Sequence, residues 1–245
     1  MDRPDAQSGY QIHIIYAVPE DGTDRAMDTD GSIARSVHAF STWFAAQAGG
    51  RRIRVDELFG GAIDVTFVRL SATDSAIAAK GAYVRTVLET QLRELGFAQP
   101  NKLYAVYYDG SSTYACGGGA YPPSLAGHVA AMYLHGVSAG SDCAQQLVGA
   151  SANQPGYIDI AMLHEIVHTL GFVATCAPDI NVLRDGHVGN DPADLMYRGD
   201  KPWQPLHMDP SHSNYFDHHI SNCRDLAHSA FLDPLPPGAE LPLRW

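Results

Sequence analysis

The feature that most constrains this chain is the segment DIAMLHEIVHTLG, residues 159–171. Its apolar residues recur at helical spacing, which predicts an α-helix over about residues 159–170 with one face in the core. That face consists of Leu163, Ile166, Val167 and Leu170. His164 and His168 lie four positions apart, so they are neighbours on the other face. Both imidazoles can therefore point at one metal ion.

Glu165 follows His164 directly and projects about 100° around the helix from it. This offset makes it a poor third ligand but places it beside a water on the metal. Zinc lowers the pKa of such a water to about 7, and a carboxylate can take its proton as the water attacks a carbonyl. The His-Glu-x-x-His pattern also occurs by chance on ordinary helices. Gly171 after the helix and the segment DLMY (194–197) downstream favour a zinc site.

A zinc hydrolase of this kind needs a third protein ligand, and the position three residues after Gly171 holds Ala174, which cannot bind metal. One large class of such enzymes takes a glutamate from a second helix downstream. Glu240 is the single glutamate after Glu165, and it stands in a Pro-rich tail with no helical pattern. That class is therefore close to excluded.

The matching residues resemble the metzincins, whose pattern is HExxHxxGxxH/D followed by a tight turn containing methionine. His164, Glu165, His168 and Gly171 match this pattern, and Leu195-Met196-Tyr197 resembles the Met-turn. The resemblance implies a zincin-like fold, one catalytic Zn²⁺ ion, a peptide or protein substrate, and Met196 as support beneath the metal site. Glu165 is then the general base. Some metzincins place a zinc-touching tyrosine two residues after the methionine, where this chain has Arg198.

Within the metzincins, the leishmanolysins carry an insertion between the glycine and the third histidine. This chain is similar to a short version of that arrangement, with residues 172–186 as the insert and His187 as the third ligand. His187 lies nine residues before Met196 and follows Gly186, where the backbone turns freely. Other metal ligands remain possible for the third position. They are Asp179, Asp185, Asp191, His207, His212, His218 and His219.

Four cysteines, none in a CxxC pair, argue against a structural zinc site and allow three disulfide pairings. We favour Cys116–Cys143 with Cys176–Cys223, because each bridge then stays on one side of the helix at 159–170. Four free buried thiols are the alternative. Disulfides, together with residues 1–4 that lack an apolar leader segment, favour a mature secreted protein.

The remaining pattern predicts an α/β (α+β) domain over residues 1–245. Its mixed twisted sheet has backing helices in an upper lobe of about residues 1–171, and a smaller irregular lobe covers about 172–245. Strands are expected at 12–18, 63–70, 102–110 and 128–136, and helices at 32–48 and 75–96. Residues 111–127 read as an irregular loop. An edge strand for substrate is expected either at 128–136 or around Tyr114–Cys116.

The net charge and hydropathy of the chain limit the classes of binding partner that we expect. With 16 basic and 27 acidic residues the net charge is −11, which speaks against nucleic acid and anionic membranes. No apolar run is long enough to span a membrane. Calcium has weak candidates in Asp28 and Asp30 and in the segment around Asn190, Asp191 and Asp194, where turns are the simpler interpretation. We expect a monomeric zinc endopeptidase; a zinc-dependent binding module without turnover and a metal-free α/β protein are the alternatives.

Overall fold

A computed structural model describes residue 3 and residues 5–138, 141–143 and 155–243 of the 245-residue chain. Its main sheet has the strand order β3-β1-β4-β6-β5, with β7 also paired to β6. The strands are β1 Gln11–Val18, β3 Val65–Arg69, β4 Lys102–Ser112, β5 Gly117–Tyr121, β6 Leu125–Ser138 and β7 Ser141–Asp142. Strands β3, β1, β4 and β6 run parallel, and β5 is antiparallel to β6. The expected α/β class with a mixed sheet is confirmed.

Helices cover both faces of this sheet, so its central strands are buried on both sides. They are α1 Ser32–Gln47, α2 Asp74–Ala78, α3 Val84–Glu94 and α4 Tyr157–Thr169, with a 3₁₀ turn at Gly81–Tyr83. On one face, Ile14 and Tyr16 of β1 share a core with α1 and α4. On the other, Ile15 and Ala17 share a core with α2 and α3. Because side chains alternate along a strand, the continuous apolar run of β1 supplies both cores.

Two sequence-based expectations about local structure are wrong. The single helix expected over 75–96 is broken at Gly81, whose φ of +56° lies in the left-handed region. The loop expected over 111–127 contains the last residues of β4, all of β5 and the first residues of β6. The glycine run 117–119 has no strand propensity of its own, and it is held in the sheet by pairing with residues 130–132 of β6.

The segment after α4 is irregular, as expected, and it packs on the same core as α1. Its regular elements, among the residues described, are a 3₁₀ turn at Leu226–His228 and β8 Leu232–Asp233. Strand β8 pairs with β2, Arg52–Ile53, which follows α1. The Phe216 ring meets Phe44 of α1 edge-on, with ring centroids 6.4 Å apart. The division into two lobes near residue 171 stays a prediction.

Both disulfides have the predicted pairing. Cys116 and Cys143 have Cα atoms 5.6 Å apart, and Cys176 and Cys223 have Cα atoms 5.8 Å apart. The alternative of free thiols is therefore wrong. Among the described residues, no helix has both the length and the apolar character needed to cross a membrane. Secretion stays a prediction, and the leader-segment argument concerns residues 1–4, of which only Arg3 is described.

Candidate metal centre

Helix α4 is held by polar contacts at its start and by apolar packing along its length. The Asp159 carboxylate accepts hydrogen bonds from the Gly156 amide at 2.7 Å and from the Ser36 hydroxyl of α1 at 2.5 Å. The predicted apolar face is buried, with Leu163, Ile166, Val167 and Leu170 at 1% exposure or less. The helix is therefore fixed against the sheet and α1, and His164, Glu165 and His168 are directed to one place.

Gly171 ends the helix as the sequence predicts, with φ of +92°. The chain then forms a loop whose two ends are joined by a hydrogen bond, in which the Val173 amide donates to the Gly186 carbonyl at 3.1 Å. Farther along, the Asn181 amide donates to the His187 carbonyl at 2.8 Å. Since the two ends of this loop meet beside the helix terminus, its length does not carry His187 away from His168.

The three predicted histidines converge on one point. The Nε2 atom of His187 lies 3.0 Å from that of His168 and 3.3 Å from that of His164. One ring nitrogen from each histidine lies within 4.8 Å of the others. A tetrahedral zinc ion bound at 2.0–2.1 Å separates its nitrogen ligands by about 3.4 Å. The spacing therefore suits a single small metal ion.

The hydrogen bond at Nδ1 of each histidine determines that the unprotonated Nε2 atom faces the other two rings. The Nδ1 atom of His164 donates to the Leu195 carbonyl at 2.7 Å. In the same way, His168 Nδ1 donates to the Phe172 carbonyl at 3.2 Å, and His187 Nδ1 donates to the Asp185 carbonyl at 3.0 Å. A neutral imidazole that donates through Nδ1 presents an unprotonated Nε2. Three such acceptors facing one another suit a bound metal cation.

The electrostatics favour the neutral, ligand-competent form of each ring. Burial lowers the pKa of His164 to about 3, and the neighbouring His187 adds to this shift. Burial, followed by the positive charge of Arg198, lowers the pKa of His187 to about 4. Burial also holds the pKa of His168 well below its usual range. All three rings are therefore ready to bind metal at neutral pH without losing a proton.

Glu165 lies against the glycine run of β5. The backbone of Gly119 lies beside its carboxylate, because a Cβ atom at Gly119 would come within 3.2 Å of Glu165 Oε2. A Cβ atom at Gly117 would lie 2.9 Å from Glu165 Oε1, and one at Gly119 would lie 2.6 Å from the Glu165 carbonyl oxygen. Burial raises the pKa of the Glu165 carboxyl to about 8, although Arg198 and the Gly119 amide oppose the shift. A carboxyl group with a raised pKa can accept and return a proton near neutral pH.

The segment predicted as support lies next to His164. Met196 is fully buried, and the Leu195 carbonyl holds the His164 ring. The Asp194 carboxylate shapes the turn by accepting from the Met196 amide at 2.6 Å and the Tyr215 hydroxyl at 2.9 Å. These contacts fit a supporting role for Met196, which stays a prediction. They also give Asp194 a hydrogen-bonding role in place of the calcium role considered above.

A cavity of about 400 Å³ opens onto the three histidines and Glu165. Its wall includes the glycine run 117–119, Tyr121 and Arg198. The ring of Tyr121 meets His168 edge-on at 5.8 Å between centroids. A side chain at Gly186 would come within 2.9 Å of His168 Nδ1, so the glycine there permits the close approach. The site is thus closed on the helix side and open to a ligand on the other.

None of the competing ligands joins the histidine group among the described residues. Asp185 lines the cavity, whereas Asp179 pairs with Asn214 and Asp191 accepts from the Ala193 amide. His207 uses its backbone carbonyl to hold Leu195, and His218 bonds the Arg224 carbonyl. His212 lies 3.9 Å from Asp217, and the exposed His219 stays outside the group. At the other calcium candidate, Asp30 accepts from the Ser32 amide where α1 begins.

A second group of possible metal ligands consists of His13, Asp56 and Asp64. Its carboxylates already form ion pairs with positively charged side chains. The Lys102 ammonium lies 2.7 Å from Asp56, and the Arg3 guanidinium donates to Asp64. Positive side chains therefore compensate these buried carboxylates, and the group does not resemble the histidine centre.

Comparisons with known proteins give structural likenesses at low identity. The sequence matches no family model and no curated protein. The structure is similar to archaemetzincin from Methanopyrus kandleri, with 13% identity over 81% of this chain and 90% of that chain and a TM-score of 0.43. It is also similar to OgpA from Akkermansia muciniphila, with 13% identity over 86% of this chain and 61% of that chain and a TM-score of 0.48. At these scores the likenesses say nothing about activity.

Sequence reasoning missed two parts of the site. The contact between the glycine run 117–119 and Glu165 depends on strand pairing that lies far away in sequence, although three consecutive glycines signal a close backbone approach. The place of Arg198 in the cavity wall has no local signal either, because the residues around it in sequence predict only a turn.

Proposed function

We propose that this protein is a zinc-dependent endopeptidase in which His164, His168 and His187 bind one Zn²⁺ ion. The observation that carries the proposal is the convergence of three Nε2 atoms whose Nδ1 partners are all backbone carbonyls. Glu165 beside them and the open cavity distinguish this site from a closed structural zinc site, which uses four protein ligands.

The metal ion and Glu165 have different roles in the proposed hydrolysis. Zinc, when bound, would polarise the scissile carbonyl and lower the pKa of a water molecule. Glu165 takes one proton from that water as its oxygen bonds to the carbonyl carbon. Glu165 then gives the proton to the amide nitrogen, and the carbon–nitrogen bond breaks. The close approach of the Gly119 backbone limits the positions that the carboxylate can take during both transfers.

An extended substrate fits beside β5. This strand pairs with β6 alone among the described strands, so the backbone groups of its outer side are open to another strand. Of the two candidate segments for the edge strand, residues 128–136 are excluded, because β6 is paired on both sides. The alternative around Tyr114–Cys116 leads directly into β5. A peptide added to this edge would pass the histidines and Glu165.

The test combines metal analysis with proteolysis. We expect one zinc ion per chain and cleavage of denatured casein that stops with chelator and returns with zinc. Glu165→Ala should keep the zinc and lose turnover by a factor of about 10²–10⁴. Glu94→Ala is a matched control, because Glu94 is an exposed helical glutamate outside the cavity.

Two outcomes identify the alternatives. Zinc binding without cleavage of any substrate would favour the zinc-dependent binding module. A purified protein that neither contains nor takes up zinc would leave only the metal-free α/β protein.

A further inference from the structure

Arg198 is placed beside the metal centre by its backbone. Its amide donates to the Val188 carbonyl at 3.0 Å, and its own carbonyl accepts from the Asn181 side chain at 2.5 Å. Val188 directly follows His187, and Val188 and Tyr197 form a parallel bridge. The position of Arg198 relative to the third histidine is therefore set by main-chain hydrogen bonds.

Arg198 lines the cavity, and its positive charge has no partner among the described residues. The residue is exposed, lines the cavity with His187 and Glu165, and makes no side-chain hydrogen bond or ion pair among the described residues. Arg85 lines the same cavity but is paired with Glu89 at 2.5 Å. The charge of Arg198 acts on all three histidines and on Glu165.

A positive charge beside a site for Zn²⁺ weakens metal binding, because like charges repel. An exposed arginine with no function at the site would weaken metal binding without any compensating effect. A positive charge at this position is favourable overall if negative charge develops beside it during the reaction. In peptide hydrolysis, that charge develops on the scissile carbonyl oxygen when water adds to the carbonyl carbon.

We propose that Arg198 is a catalytic residue that donates hydrogen bonds to this developing oxyanion. The proposal rests on the proposed peptidase function. As water adds, the π electron pair of the carbonyl moves to its oxygen. The guanidinium N–H groups donate hydrogen bonds to that oxygen. When the carbon–nitrogen bond breaks, the pair returns to form the carbonyl of the product acid, and Glu165 supplies the proton to the amine. Arg198 keeps its own protons throughout.

The experiment compares Arg198→Gln and Arg198→Lys with Lys201→Gln, which removes one positive charge from an exposed residue outside the cavity. The substrates are two peptides around a casein bond that the protein cleaves, with Gln or Glu next to that bond. We expect Arg198→Gln to lower kcat about 10²–10³-fold on both peptides with little change in KM. Arg198→Lys should restore part of the loss, and Lys201→Gln should match the wild type.

Zinc affinity gives a readout independent of turnover. In competition with a chromophoric chelator, Arg198→Gln should bind Zn²⁺ about 3- to 10-fold more tightly than the wild type, because a nearby positive charge is gone. A variant that damages the structure would bind zinc more weakly, and that result would overturn the proposal.

Three other results would also overturn it. One is unchanged kcat in Arg198→Gln. Another is a rise in KM confined to the Glu peptide, which would make Arg198 a binding residue for substrate carboxylates. The third is a wild-type protein that binds no zinc or cleaves no peptide, which removes the proposed function together with this role. If the wild type cleaves and Arg198→Gln is equally active, only the role of Arg198 fails.

Discussion

The backbone of Gly119 lies directly against Glu165, which brings the edge strand β5 beside the helix that carries two of the three histidines. The contact is close because residue 119 has no side chain. A Cβ atom there would lie 2.6 Å from the Glu165 carbonyl oxygen and 2.9 Å from the His168 Cβ. The edge strand and the metal centre are therefore positioned together.

Gly119→Ala should displace Glu165 and α4, since the added methyl group meets helix backbone that has no room to move. We expect a loss of kcat of at least about tenfold and a decrease in the free energy of unfolding of about 1–3 kcal/mol. Steady-state kinetics and urea unfolding measure the two effects.

Gly118→Ala is the matched control for this prediction. Its Cβ would meet the Tyr133 hydroxyl, the far end of a side chain, at 2.9 Å, and its 3.6 Å distance to Arg85 Cβ is an ordinary contact. The Gly118 variant should therefore lose less of both activity and stability. Equal effects of the two substitutions would contradict the special role of position 119.

His187→Ala should weaken zinc binding by more than about 100-fold, because it removes one of three ligands whose supporting contacts alone are worth 10–100-fold in similar sites. Metal competition titrations and residual cleavage measure the loss. The exposed His219 provides the control, and His219→Ala should bind zinc normally. A His187→Ala protein that retains zinc and cleaves peptides would show that the third ligand is another residue.

The Cys176–Cys223 disulfide ties the loop that carries His187 to a segment 47 residues away. Replacing both cysteines by alanine should decrease the free energy of unfolding by about 2–4 kcal/mol and weaken zinc binding, because the loop gains freedom. Thermal unfolding with and without zinc measures both consequences. Stability unchanged in the double variant would mean that the hydrogen bonds of the loop hold it without the bridge.

Asp56 gives a prediction about acid stability. It is fully buried, and its Oδ2 atom accepts from Lys102 at 2.7 Å and from His13 at 2.8 Å. Burial alone would raise the pKa of the Asp56 carboxyl, but these hydrogen bonds outweigh burial and hold the pKa below its usual value. The folded state therefore keeps the charge to lower pH than the unfolded chain does. The resulting stability is complete above about pH 4 and is lost as the pH falls further.

Asp56→Asn should accordingly cost about 3 kcal/mol at pH 7 and flatten the loss of stability below pH 4. Urea unfolding at a series of pH values measures the slope. Asp200→Asn, at an exposed position, should keep the wild-type profile. An acid slope in Asp56→Asn as steep as that of the wild type would assign the acid sensitivity to other groups.

Part of the site was predictable because it depends on local spacing. The four-residue separation of His164 and His168 fixes both on one helix face whatever surrounds the helix, and Gly171 ends that helix through its own backbone freedom. The buried strand β1 was predictable for the same reason, since its apolar run needs partners on both faces. The third ligand was narrowed to His187 by resemblance, with seven alternatives left open.

The sequence by itself thus determined helix α4, its end and the parallel core that holds it. Only the tertiary structure decided that the loop closes through Val173 and Gly186 to return His187, that the glycines at 117–119 form the edge strand against Glu165, and that Arg198 faces the cavity. These features depend on hydrogen bonds and close contacts between residues far apart in the chain. Local propensity carries no information about them, because the free energy that selects them comes from pairing and packing with distant segments.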